Sequence, residues 1–152
     1  MKIIYKNESG GVSIIHPTDE ALSFMTIDEI AKKDVPTGVK YKIVEDSAVP
    51  TDRTFRDAWE VGINMLTDGE RWRMINVNLD KAKDIANAFR RNQRAEIFKP
   101  LDVEAIIPQL AEQAEAKRSE IRDRFAKYQD DIDKASCVTS LKAAMLQCKE
   151  CD

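Results

Sequence analysis

Three cysteines and one histidine are the side chains of this sequence best suited to metal or redox chemistry. Cys148 and Cys151 form a CxxC pair, and Cys137 is the third cysteine. A zinc site needs two further ligands at suitable spacing, and a redox pair normally opens a helix next to a strand. All three cysteines lie near the C-terminal end of the chain, so we expect no metal and no cofactor. Inter-chain disulfides stay open at this point.

Nucleophilic and general acid–base motifs are the next chemistry to consider. His16, the single histidine, comes directly before Pro17, which is more typical of a strand end than of a general base. No serine or cysteine lies in a nucleophile motif such as GxSxG. The sequence therefore predicts no catalytic residue and a protein that is not an enzyme.

A group of arginines in the run FRRNQRAE could contact phosphates. Arg90, Arg91 and Arg94 make up this group, and Asp84 and Glu96 lie close to it in the sequence. The whole chain carries 24 basic and 27 acidic side chains, a net charge of −3, and no glycine-rich loop accompanies the arginines. This balance favours a solvated or salt-bridged helix face over nucleic-acid binding.

The run DRTFRDAWE, Asp52 to Glu60, combines aromatic and charged residues. Phe55 and Trp59 share a face on either a helix or a strand, because four residues separate them. One interpretation, which we favour, is an aromatic anchor between the two halves of the chain. The other is a docking surface with Arg53 and Arg56, since tryptophan and arginine contribute strongly to interfaces.

The first half of the chain, residues 1–76, is predicted to form a small α+β module. Apolar runs at 2–5 and 12–15, separated by Asn, Ser and Gly, predict a β-hairpin, and alternation over 39–43 predicts a third strand. The dipeptide at 68–69, Asp-Gly, predicts the turn of a second hairpin. We therefore expect an antiparallel sheet with short helices.

Two threonines in this module mark helix starts. Thr26 is followed three residues later by Glu29, which is the spacing of a capping box. Thr18 can cap a shorter helical turn. The helix after Thr26 must end before Pro36, because the residue that precedes a proline is disfavoured in helical conformation.

The second half, residues 77–152, is predicted to be helical. Apolar residues recur at helical spacing, and we expect helices at about 78–98, 103–135 and 138–149. Pro100 is expected to interrupt the first two. The predicted fold class is thus α+β, a small sheet module followed by a helical hairpin or a long-helix extension.

A thin heptad stripe follows the second of these helices. Its members are Ile107, Ala114, Ile121, Tyr128 and Ala135. The companion positions are interrupted by charge, so the stripe is too narrow for a buried core helix and is expected to pack against the last helix or another protein. The candidate interface residues are Phe55, Trp59, Arg53, Arg56, Ile107, Ile121, Phe125 and Tyr128.

Several segments together resemble a family of small bacteriophage and prophage proteins of proteobacterial hosts. They read MKIIYKN, GGVSIIHPT, TIDEIAKKDVPTG, VPTDRTFRDAWE, LDKAKDIANAFRRNQRAE and SLKAAM. The resemblance implies an association with tail or tail-fibre genes and a non-enzymatic structural protein of the virion. An alternative is a tail-fibre assembly chaperone that is absent from the mature virion.

Partners and location are expectations from the same resemblance. It implies other phage structural proteins as partners, an oligomer or larger assembly, and a final location in the virion after synthesis in the host cytoplasm. The amino-terminal residues do not resemble a signal peptide, and no apolar run approaches the roughly 18 residues of a membrane helix. We expect no contact with nucleic acid or membrane.

Overall fold

The chain divides into two compact units in its computed structural model, which describes residues 1–62 and 75–149. The first unit comprises residues 1–78 and the second residues 79–152. The first carries small antiparallel sheets and short helices, and the second carries long helices that pack together. The predicted α+β class is confirmed.

A three-stranded antiparallel sheet forms the centre of the first unit. Its strands are β1 (Lys2–Lys6), β2 (Val12–Ile15) and β3 (Tyr41–Val44), in the order β2-β1-β3. Asn7 accepts from the amide of Gly10 in the β1–β2 turn, where Gly10 has a φ of +83°, a conformation that favours glycine. The predicted hairpin and third strand are confirmed.

The two faces of this sheet bury different partners. Ile3 and Ile4 are both 0% exposed and point to opposite faces, because successive side chains alternate along a strand. Ile3 packs with Ile30 of α2 (Ile27–Asp34), and Ile4 packs with Trp59. The sheet is therefore covered on both sides.

Side-chain caps position the short helices as the sequence predicts. The Thr18 hydroxyl accepts from the amide of Ala21 at the start of α1 (Asp19–Phe24). The capping box before α2 is complete, since Glu29 accepts from the amide of Thr26 at 2.8 Å and donates its own amide to the threonine hydroxyl at 3.3 Å. Each cap satisfies an amide that the first helical turn leaves unpaired.

A second, two-stranded sheet joins the first unit near its end. Strands β4 (Trp59–Val61) and β5 (Ile75–Val77) pair antiparallel, with Trp59 opposite Val77. The predicted turn at Asp68-Gly69 lies outside the described residues.

The second unit consists of three helices that each contact the other two. They are α3 (Leu79–Glu104), α4 (Ala111–Lys134) and α5 (Val138–Lys149). No helix in the described parts of the chain, residues 1–62 and 75–149, is long and apolar enough to cross a membrane.

The prediction that Pro100 ends the first long helix is wrong, because α3 continues through it to Glu104. A proline in a helix costs about 3 kcal/mol through a lost hydrogen bond and a steric clash. Here the next residue, Leu101, is 7% exposed and packs with Ile121 and Phe125. Tertiary burial therefore outweighs the local preference, and the second long helix begins later than predicted.

The expectation that the heptad stripe is too thin for a core helix is also wrong. Ala114, Phe125 and Ile132 of α4 are 0% exposed, and Ile121 is 8% exposed. The stripe is buried because α4 packs against both other helices, where small residues such as Ala86 allow a close approach. Most of the stripe is thus used inside this unit.

Candidate functional site

The aromatic residues of the DRTFRDAWE run lie inside the first unit. Phe55 and Trp59 are each 2% exposed, and Trp59 belongs to the same core cluster as Ile4, Val12 and Ile75. These rings are therefore core residues and present no exposed docking surface, unlike the interface that the sequence also allowed.

Arg56 connects this run to the first sheet. Its guanidinium lies 4.8 Å from the centroid of the Trp59 ring, and its Nη1 donates to the carbonyl oxygen of Val12 at 3.0 Å. Arg53 is exposed, and its carbonyl accepts from the amide of Arg56 at 3.0 Å. A cation against an indole face that also bonds a strand carbonyl has a positioning role.

The end of the run is tied to the residue that precedes α3. The amide of Asn78 donates to the carbonyl of Ala58 at 2.8 Å, and its side-chain Nδ2 donates to Oε1 of Glu60 at 3.0 Å. The geometry of the run is thus that of a structural anchor within the first unit.

The arginine group of α3 does not form the uniformly solvated face that the sequence favoured. Arg90 is 5% exposed and donates to the carbonyl of Phe125 at 3.3 Å, to Oε1 of Gln129 at 2.9 Å and to Oδ1 of Asn87 at 3.1 Å. Burial lowers the pKa of Arg90, because desolvation disfavours its charged form. Arg91 remains exposed.

A signal for the burial of Arg90 is present in the sequence. Ala82, Ala86 and Arg90 recur every four residues, and both alanines are 0% exposed. The arginine therefore continues the buried face of α3, a position that reasoning from charge alone overlooks.

The titratable groups considered first do not come together. His16 is exposed just after β2, Cys137 is exposed, and Cys148 is 1% exposed. A hydrogen bond with the Ser140 side chain lowers the pKa of the Cys137 thiol. Within residues 1–62 and 75–149, no group of three or more His, Cys, Asp or Glu residues is arranged to hold a metal ion.

The second unit has two unequal halves because α5 is short. It has 12 residues against 24 in α4, or about 18 Å against about 36 Å at the rise of an α-helix. Cys148, near the end of α5, lies close enough to Arg90 to affect its pKa. We call residues 79–93 and 123–149 the covered half, and residues 94–122 the open half.

A groove between α3 and α4 occupies the open half and the adjoining turn of α4. It has a volume of about 550 Å³. Its lining residues are Ile97, Pro100, Leu101, Glu104, Lys117, Glu120, Ile121 and Arg124. Four of them are apolar and four are charged, two of each sign, so the groove joins an apolar floor to a mixed-charge rim.

Ion pairs link the two helices of the open half. Arg118 pairs with Asp102, and the Lys117 ammonium lies 3.3 Å from a Glu104 carboxylate oxygen. Arg122 reaches Glu115 at 2.7 Å. The hydrogen bond to Asp102 raises the pKa of Arg118, and the hydrogen bond from Arg122 lowers the pKa of Glu115.

An exposed apolar tip connects α3 to α4. Val103 is 64% exposed, Ile106 81%, Ile107 41% and Leu110 37%. Turn hydrogen bonds order this tip, including one of 2.9 Å from the amide of Leu110 to the carbonyl of Ile107. Clustered exposed apolar side chains of this kind mark interaction sites.

The structure separates the candidate interface residues of α4 and its entry turn. Ile107 belongs to the exposed tip, whereas Ile121 and Phe125 are buried within the unit. Tyr128 is half-buried, with its ring centroid 5.4 Å from that of Phe125 in an edge-to-face arrangement. Sequence reasoning missed Ile106, although apolar residues beside Pro108 are a usable signal for an exposed turn.

The groove and the tip together define a candidate protein-interaction site on the helical unit. Comparisons of the chain with protein-family models, with curated proteins and with solved structures gave no match.

Proposed function

We propose that this protein is a non-enzymatic bacteriophage structural protein, associated with the tail or tail fibre, that acts through protein–protein interfaces. The observation that carries the interface role is the exposed apolar tip beside the groove. The phage context rests on the resemblance of the sequence segments to phage and prophage proteins.

The tip can supply substantial binding energy. Complete burial of one large aliphatic side chain contributes about 1.5 to 3 kcal/mol. Ile106 and Val103 are mostly exposed, at 81% and 64%, so most of this contribution is still available to a partner. Ile107 and Leu110 add smaller amounts.

The variant Ile106→Asp tests this proposal, because Ile106 is exposed and its replacement leaves the core unchanged. Ile121→Asp is unsuitable, since Ile121 is 8% exposed and a buried carboxylate would unfold the unit. The matched control is Ala116→Asp, an exposed residue of α4 outside the groove. The measurement is quantitative mass spectrometry of purified virions.

We expect wild type and the control at a fixed copy number per virion, and Ile106→Asp reduced at least tenfold with its thermal unfolding unchanged. Normal incorporation of Ile106→Asp would show that the tip is not the interface. A wild-type protein that is bound to tail fibre in infected cells but absent from the virion would instead indicate the assembly chaperone.

A further inference from the structure

We propose that the open half of the helical unit pairs with the open half of a second copy of this chain. The two α4 helices run antiparallel across a two-fold axis, with the turn from Lys117 to Glu120 at its centre. This inference rests on the proposed function in one respect, since it names the partner of the same surface.

The rim of the groove has the charge pattern that a two-fold contact requires. In such an interface each patch meets itself, so it must carry complementary groups. The groove carries two acids and two bases, and Lys117 and Glu120 lie one helical turn apart. Antiparallel pairing about their midpoint brings each lysine to the glutamate of the second copy.

Glu120 is available for this contact. It is exposed, and it makes no ion pair with another residue in the described parts of the chain. Lys117 already lies 3.3 Å from Glu104, so the second copy's glutamate would extend an existing pair into a network. A network of this kind is worth more than an isolated surface pair.

The lengths of the helices agree with this arrangement. The turn from Lys117 to Glu120 lies near the middle of the stretch of α4 that α5 leaves uncovered. The apolar tip of each copy therefore reaches the end of α5 in the other copy without overlapping it. Two hairpins packed antiparallel give the arrangement of a four-helix bundle, which buries apolar faces between its helices.

Sedimentation velocity of the purified full chain tests the inference, since the monomer is 17.3 kDa and a dimer has twice that mass. Three variants are compared with wild type: Glu120→Lys, the exchange Lys117→Glu with Glu120→Lys, and the control Lys127→Glu. Lys127 is exposed on α4 and does not line the groove. All substituted positions are exposed, and thermal unfolding by circular dichroism checks that each variant is folded.

We expect a wild-type dimer, a dimer dissociation constant raised at least tenfold by Glu120→Lys, and recovery to within about threefold in the exchanged variant. A wild-type monomer at about 100 μM, or a dimer that responds equally to Glu120→Lys and to the control, would overturn the inference. Failure here is separable from failure of the proposed function. A monomeric protein that still enters virions contradicts only the dimer, and a dimer absent from virions contradicts only the structural role.

Discussion

The covered and open halves of the helical unit are built from the same two long helices, yet they are stabilised differently. In the covered half α5 adds a third side, and Ala82, Ala86, Ile132 and Leu141 are all 0% exposed. In the open half the helices are joined by exposed ion pairs above a partly filled groove. The presence of a third helix therefore decides whether an apolar stripe becomes core or surface.

This difference predicts a gradient of stability along the helices. Burial of apolar side chains is little affected by salt, whereas exposed ion pairs are screened and contribute little. We expect the covered half to carry most of the free energy of unfolding and the open half to open first.

The largest effect is expected from Leu141→Ala in the covered half. Leu141 is 0% exposed and holds α5 in place, so its truncation leaves a cavity and should cost about 2 to 5 kcal/mol. Chemical denaturation measures the loss. The matched control is Leu146→Ala on the same helix, where Leu146 is 57% exposed and should cost less than about 0.5 kcal/mol. Equal effects at the two positions would contradict the packing of α5.

A smaller loss is expected from Arg90→Ala. The substitution removes donors to Phe125, Gln129 and Asn87 and leaves part of the site empty, which should cost about 2 kcal/mol. Arg91→Ala, the exposed neighbour, is the control and should change the free energy of unfolding by less than about 0.5 kcal/mol. If both variants unfold at the same denaturant concentration, Arg90 does not stabilise the covered half.

The smallest effect concerns Glu115 in the open half. Its pKa is lowered from 4.5 in the folded protein, so its stabilising contribution is present above that value and is lost as pH falls through the lowered pKa. Hydrogen-exchange protection of residues 111–122 should therefore decrease below pH 4.5 relative to residues 79–90, after correction for intrinsic rates. In Glu115→Gln, the same segment should be less protected at pH 7 and respond less to acid.

High salt provides a second readout of the Glu115 prediction. About 1 M salt shortens the screening length to about 3 Å, so protection of residues 111–122 should decrease in wild type and change less in Glu115→Gln. A wild-type segment whose protection is insensitive to both acid and salt would show that its ion pairs do not stabilise the open half.

Local sequence signals predicted much of the first unit. The capping box of Thr26 and Glu29 and the first hairpin depend on neighbouring residues, and both are confirmed. The predictions around Pro100 and Arg90 failed because local preference was outweighed by packing. Leu101 is held by α4, and Arg90 is satisfied by groups far along the chain, so neither outcome follows from a short window of sequence.

The candidate site shows the same division. Ile107 was identified from its heptad spacing, but the exposed neighbours Val103 and Ile106 were not. Their exposure depends on where α3 ends and on how far α5 reaches, and periodicity does not encode either length.

The sequence by itself determined the α+β class, the helix caps, the first hairpin and the helical character of the second half, because these follow from residue type and short-range spacing. Only the tertiary structure decided which apolar residues are core and which are surface. Phe55 and Trp59 could face a partner or the core at identical spacing, and packing against the sheet placed Trp59 inside. Burial is a property of what surrounds a residue, and that is set by contacts between distant parts of the chain.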